Sequence, residues 1–308
     1  MFRGDLTPCV SVGNIAMGGR GKTPVVIHLA RLLVEAGERP AVLSRGYGRR
    51  LNEPGVVVVS DGNHVQADLD RSGDEPLLIA RAVPGAAVLV CEQRAIARVL
   101  AERALGATVL LLDDGFQHRQ VARDVDLVII RARDLRGRAL PFGRLREPVK
   151  ALARADAVIV DDGADAGDPA LSGRRTFAMR RSIGEAIPLE SDRPWTPKRG
   201  PVVAVAGIAE PQRFAQALTA AGWTVARLMT FRDHHAYHSR DLAAIATAVR
   251  ETGAIGAVTT EKDAVRLRWM RPLPVQMASI PLDVSIEPAA VFHAWLFDRL
   301  RAAREAHA

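Results

Sequence analysis

The chain has 308 residues, 48% hydrophobic and 25% charged, which is enough apolar material for one large or two medium packed domains. Its net charge of +7 favours anionic partners but does not choose among nucleotide, phosphorylated substrate, nucleic acid and acidic membrane surface. Aromatics at 5% argue against a base-stacking nucleic-acid platform; two cysteines exclude a disulfide framework and fit a reducing cytoplasm.

In chain order, residues 1–9 lack the charged-then-apolar layout of a secretory signal, and no apolar run further on reaches the roughly 18 residues of a spanning helix. Residues 8–12 read as a buried strand, followed by a glycine loop and a helix over 23–36. Further strands are expected at 41–43, 56–60, 87–91, 109–112, 125–130 and 157–160, with a helix over 92–105. Near-continuous apolar strands separated by helices predict a mostly parallel sheet covered on both faces. The stretch 161–173 is rich in Asp, Ala and Gly, and 188–200 holds Pro188, Pro194 and Pro197, so a connection is expected there, with short strands near 176–180 and 185–189. A second α/β unit follows: strand 202–206, helix 211–221, strand 224–229, helix 241–252, strand 257–259 and a closing helix over 287–304. The expected domains are therefore 1–165, a linker over 166–200, and 201–308.

The strongest chemical signal is Gly18-Gly19-Arg20-Gly21-Lys22-Thr23, between a strand and a helix. Glycines let backbone amides turn toward phosphates, and the helix N-terminus adds a favourable dipole. Lys22 would reach the β- and γ-phosphates and the Thr23 hydroxyl would meet magnesium. The strict pattern places glycine where this chain has Ala16. Lysine occurs only at positions 22, 150, 198 and 262, so a lysine inside that loop stands out against arginine as the default cation.

The second signal is Val109-Leu110-Leu111-Leu112-Asp113-Asp114, a buried strand ending in acid at the edge where open α/β sheets bind ligands. Asp113, with Asp114 beside it, is the candidate metal partner. Ser44-Arg45-Gly46-Tyr47-Gly48 follows another strand and should share that edge. Gly73-Asp74-Glu75-Pro76 opens a helix, where Asp74 reads most simply as a cap. Gly115-Phe116-Gln117-His118 extends the acidic strand end, and Arg144-Leu145-Arg146-Glu147-Pro148 closes an arginine-rich loop that either clamps an anion or is a solvated face. In the second half, Asp233-His234-His235 and Thr260-Glu261-Lys262-Asp263 each follow a strand. The Asp-His-His run reads as a metal cluster or as a base with its orienting partner.

Taken in order, these segments, together with Val12-Gly13-Asn14 and Pro24, resemble the tetraacyldisaccharide 4′-kinase family from about residue 9 to 265. The family tolerates a non-glycine at the Ala16 position. The resemblance implies an ATP- and Mg2+-dependent kinase acting on the 4′-hydroxyl of an acylated glucosamine disaccharide 1-phosphate. It implies an α/β fold: a P-loop NTPase-type, mostly parallel sheet domain, joined by a two-stranded linker to a smaller α/β domain. Asn14, Gly18, Gly19, Arg20, Gly21, Lys22 and Thr23 would then serve ATP, with Thr23, Asp113 and Asp114 at the metal. Asp74 would be the base and His234 its partner across the two domains, supported by Asp233. Ser44, Arg45, Glu75, Gln117, His118, Arg146 and Glu147 would line the acceptor side.

Family members carry an N-terminal amphipathic segment that holds them at the membrane. This chain reaches its first strand within about ten residues. Peripheral lipid contact is therefore expected from other surfaces, among them Arg131, Arg133, Arg136, Arg138 and Arg144, at the cytoplasmic face of the bacterial inner membrane. No nucleic acid and no obligate protein partner is expected. The competing classes are a P-loop GTPase or ATPase acting as a regulatory switch or metallochaperone, with Asp233–His235 as a metal relay, and a non-catalytic nucleotide-binding module.

Overall fold

The computed structural model describes residues 7–118, 120–161, 168–190, 195 and 200–308. Contacts divide the chain into two units, one of Met1–Arg180 with Val284–Ala308, the other of Arg181–Asp283. The first half of the chain runs β1 (Cys9–Asn14), α1 (Lys22–Glu35), β2 (Pro40–Ser44), β3 (Val57–Asp61), α2 (Leu69–Ser72), α3 (Asp74–Ala82), β4 (Ala87–Val90), α4 (Arg94–Arg103), β5 (Val109–Asp113), β6 (Val125–Arg131), α5 (Ala132–Leu135) and β7 (Ala157–Asp161). It continues with β8 (Thr176–Ile183), β9 (Ile187–Pro188), β10 (Val202–Ala206), α6 (Pro211–Ala220), β11 (Val225–Thr230), α7 (Ser239–Thr252), β12 (Ala257–Thr260), α8 (Glu261–Leu267), β13 (Met277–Ile280), β14 (Leu282–Glu287) and α9 (Ala289–His307).

The larger sheet has nine strands in the order β14-β8-β7-β6-β1-β5-β2-β4-β3. The pairs from β4 through β2, β5, β1, β6 and β7 to β8 are parallel, and β3 is antiparallel to β4. Strands β1, β5, β6 and β7 are buried along their whole length, which is why they read as unbroken apolar runs. Helix α1 buries Val25, Val26, Leu29, Ala30 and Leu33, a single stripe at helical spacing. From β1 the chain crosses to β2 beyond β5, and from β5 it crosses back to β6 on the other flank of β1. The winding reverses between β1 and β5, and the crevice this opens at the strands' carboxyl ends is where open α/β sheets take ligands.

The smaller sheet has the order β11-β10-β12-β13-β9, parallel except for β9. Two strands, β8 and β14, carry the chain between the units. The expected strand near 185–189 is not the partner of β8; it is β9, paired with β13 in the smaller sheet. Parts of the expected connection, at 162–167, 191–194 and 196–199, lie outside the described residues.

The expectation that the second domain runs to residue 308 is corrected, because 284–308 belongs to the first unit. Helix α9 buries Phe292, Leu296 and Leu300, four residues apart, with Phe292 edge-on to Phe177 at 5.0 Å. Arg299 also reaches Asp156 (2.6 Å) and Arg304 reaches Glu38 (2.7 Å). Among the described residues no helix is long and apolar enough to cross a membrane.

Candidate active site

Residues 15–21 form the turn from β1 into α1, and Gly21, with φ of 81°, is the left-handed residue that starts the helix. The loop is held from beneath. Buried Arg20 sends Nη2 to Asp134 Oδ1 (2.7 Å), and Arg131 donates to the Gly19 carbonyl (3.0 Å) while its Nε bonds Asp161 Oδ2 (2.9 Å). The Arg20 side chain, expected at the nucleotide, is thus turned into the protein, where it fixes the loop. From the side, Arg146 N donates to the Ile15 carbonyl (2.7 Å) and Met17 N to the Arg144 carbonyl (2.8 Å), so the arginine-rich loop is strapped to the glycine loop. Ala16 itself bridges Leu145, and its small side chain is buried there.

Three strand ends meet at this edge, because Val12 pairs with Asp113 and Leu43 with Leu112. They present Asn14, Asp113 and Ser44. Asp113 is buried; its Oδ2 receives Ser44 Oγ at a long 3.4 Å, and its Oδ1 has no partner among the described residues. Both polar atoms of the Asn14 side chain are likewise buried without partners among the described residues. Burial, then the charges of Glu75 and Asp114, push the Asp113 carboxyl up to about 7.

Asp114 behaves oppositely. Burial works to raise it, but Lys22 (3.3 Å to Oδ1) and Arg146 (2.9 Å to Oδ2) outweigh that and hold it below the usual carboxylate range. Both its oxygens face cations, so the expected Asp113–Asp114 pair divides into one acid with an open oxygen and one that positions Lys22 and Arg146. Arg146 also bonds Gln117 Oε1 (3.2 Å), while Gln117 Nε2 donates to the Asn14 carbonyl (2.9 Å) and to Glu147 Oε1 (3.1 Å). Glu147 is in turn paired with Arg154 (2.8 Å). His118 continues this loop; burial, then Arg94, Arg123 and Arg45, lower its pKa from the ordinary value. Arg45 is exposed.

Asp74 is buried at the start of α3. Gly73, which precedes it, has φ 82° and ψ 165°, and a Cβ there would lie 2.9 Å from the Tyr47 carbonyl oxygen. Only glycine lets α3 begin this close to the 44–48 loop.

In the second unit, Asp233 and His234 follow β11, and His234 holds φ of 60°. Lys262 Nζ donates to Asp233 Oδ1 (3.2 Å) and lies 3.1 Å from His234 Nε2, while Arg266 Nη2 lies 3.3 Å from Nδ1. Cationic side chains thus lie against both ring nitrogens, of which a neutral imidazole accepts at one, an arrangement opposed to a metal relay. His235 points elsewhere, onto Asp241 Oδ2 at 2.9 Å. Thr260 caps α8, and Asp263, raised by burial, ties that helix to β10 through Gly207 N (2.9 Å). Asp74 and Lys22 thus lie in the first unit, Asp233 and His234 in the second.

A family model, Tetraacyldisaccharide-1-P 4′-kinase, matches residues 6–301. The chain belongs to this family. A tetraacyldisaccharide 4′-kinase of Syntrophus aciditrophicus is 38% identical, with 98% of this chain and 87% of that protein covered. One of Nitrobacter hamburgensis is 43% identical over 96% and 87%. The crystal structure of LpxK from Aquifex aeolicus in complex with ATP superposes with a TM-score of 0.77 at 31% identity, covering 96% of this chain and 89% of that one.

Several site residues of this family member escape motif reading. Buried Arg94 reaches the Asp114 carbonyl (3.4 Å), and Arg123 Nη1 gathers the carbonyls of Gly115, Phe116 and His118 at 3.0–3.3 Å. Neither stands out in a chain whose cations are nearly all arginine. Lys262 and Arg266 hold His234, and the rarity of lysine was the available signal for the first.

Proposed function

We propose that this chain is the ATP- and Mg2+-dependent kinase that phosphorylates the 4′-hydroxyl of tetraacyldisaccharide 1-phosphate in lipid A biosynthesis. The observation that carries this reading is the grouping, at one sheet edge, of the phosphate loop, Lys22 with Arg146 on Asp114, and Asp113 with an open buried oxygen. Backbone amides of the loop would cradle the phosphates, with Lys22 and Arg146 drawing off charge as the γ-phosphoryl group transfers. The 4′-oxygen bonds to the γ-phosphorus as the bridge to the β-phosphate breaks, ADP leaves, and the hydroxyl proton passes to Asp74. His234, oriented by Asp233 and Lys262, is its proposed partner in that step. Ser44, Arg45, Glu75, Gln117, His118 and Glu147 are assigned to the acceptor side.

The residues present fit magnesium. Among the described residues no group of three or more His, Cys, Asp or Glu gathers to cage a metal. Magnesium at phosphates keeps several waters and needs only one or two protein oxygens, which the Thr23 hydroxyl and the open Asp113 oxygen would supply. Bound there, the ion would neutralise phosphate charge.

An acylated acceptor places the enzyme at a bilayer, and we assign it peripherally to the cytoplasmic face of the inner membrane. ADP release measured with and without lipid acceptor tests the kinase reading. A kinase releases ADP chiefly when the acceptor is present. Equal hydrolysis without acceptor would instead indicate a nucleotide switch.

A further inference from the structure

Beside the phosphate loop stands a feature that phosphoryl transfer does not use. Between Gly137 and Leu145 the chain folds into a tight hairpin. Leu145 N donates to the Arg138 carbonyl (3.0 Å), Leu140 N to the Leu145 carbonyl (2.9 Å), and Phe142 N to the Ala139 carbonyl (3.0 Å). Leu145 is its buried foot, wedged between Ala16 and Ala139. The tip carries Leu140, 52% exposed, and Phe142, 84% exposed, with Met17 of the adjoining glycine loop at 47%. Leaving a phenylalanine in water on so firmly bonded a turn costs solubility and gains nothing for the core.

The surrounding charge has one sign. Arg136, Arg138 and Arg144 are exposed around the tip, whereas the acids of this segment face inward or sideways, Asp134 onto Arg20 and Glu147 onto Arg154. Apolar side chains ringed by arginines match a bilayer with anionic headgroups: the rings and alkyl groups enter the acyl boundary and the guanidinium groups stay with the phosphates. A folded acidic protein would answer the charge but leave Phe142 without a hydrocarbon phase.

We infer that the 137–145 hairpin is the membrane-docking element of this protein, inserting Leu140 and Phe142 into an anionic lipid surface. The hydrogen bond from Met17 N to its Arg144 carbonyl, and that from the adjoining Arg146 N to the Ile15 carbonyl, then set the phosphate loop at a fixed place beside the bilayer that holds the acylated acceptor. The inference rests on the kinase reading only in the second of these statements.

The test is sedimentation of the full chain with vesicles of phosphatidylglycerol and phosphatidylcholine, or of phosphatidylcholine alone, without ATP or acceptor. Wild type should bind the anionic vesicles and release them as salt rises. Leu140→Ser with Phe142→Ser should lose about tenfold or more in binding, and Arg136→Gln with Arg138→Gln about fivefold per arginine. Unchanged melting temperatures establish that both variants fold. Phe142→Trp should add blue-shifted emission, quenched by brominated lipid, over the wild-type signal. The inference is overturned if wild type ignores anionic vesicles, or if the double serine variant binds them like wild type. It is equally overturned if that variant only raises KM for acceptor in detergent micelles, since the tip then meets substrate chains rather than bilayer. Failure of the kinase reading shows separately, as absence of lipid phosphorylation by wild type in those micelles.

Discussion

Asp113 and Asp114 are neighbours of one chemical type, driven apart by their surroundings. Asp114 faces two cations; Asp113 sits in a buried crevice with one open oxygen. Because the folded protein holds the Asp113 proton up to about 7 against an ordinary 3.8, ionising this group costs stability. The stability it offers as the neutral acid is complete below the unfolded value and is lost as pH rises through the folded one. In ligand-free protein, Asp113→Asn should therefore gain in melting temperature over wild type between pH 4 and pH 7, then keep a constant offset. Parallel curves would contradict the burial argument. Two adjacent aspartates at a strand end were legible as a site, but not their division of labour, which depends on Lys22 and Arg146 arriving from separate loops. Arg94 was illegible for another reason: nothing in a sequence separates a buried arginine from the many exposed ones.

At the scale of elements, α3 and the two loops beside it decide where Asp74 stands. Gly73→Ala places a Cβ against the Tyr47 carbonyl in a backbone region that alanine avoids. It should cost about 1–3 kcal/mol, with a melting temperature roughly 2–4 °C lower per kcal/mol, and should lower kcat by moving Asp74. Gly222→Ala, at another positive φ (85°) but with open space around its Cβ, should cost stability and leave kcat intact. Equal effects on kcat would contradict the positioning role of Gly73. Most helices and parallel strands were legible from apolar runs and helical spacing. Strands β13 and β14 were not, because Pro272, Pro274, Pro281 and Pro288 break 268–288 into pieces that read as loop. Those strands exist through pairing with β12 and β8, a tertiary effect that overrides local pattern.

For the whole molecule, the proposed base and its proposed partner belong to different units of one chain. If Asp74 and His234 serve the same proton transfer, removing either should cost about 10²–10⁴-fold in kcat, and removing both should cost little more than one. Fully additive losses would indicate separate roles. A change of composition after residue 160 was legible and led to the expected linker over 166–200; the chain passes from the first unit to the second at Arg180–Arg181. The return of α9 to the first unit was not legible, since an amphipathic helix does not name the surface it covers.

The central claim is that this chain moves the γ-phosphate of ATP to a lipid hydroxyl with Asp74 taking the proton. Transfer from γ-labelled ATP to tetraacyldisaccharide 1-phosphate in detergent micelles, beside Asp74→Ala, tests it most directly. The account predicts a magnesium-dependent product phosphorylated at the 4′-position, reduced at least about 100-fold in the variant. A folded wild-type protein that forms no such product, or an Asp74→Ala variant as fast as wild type, would contradict it.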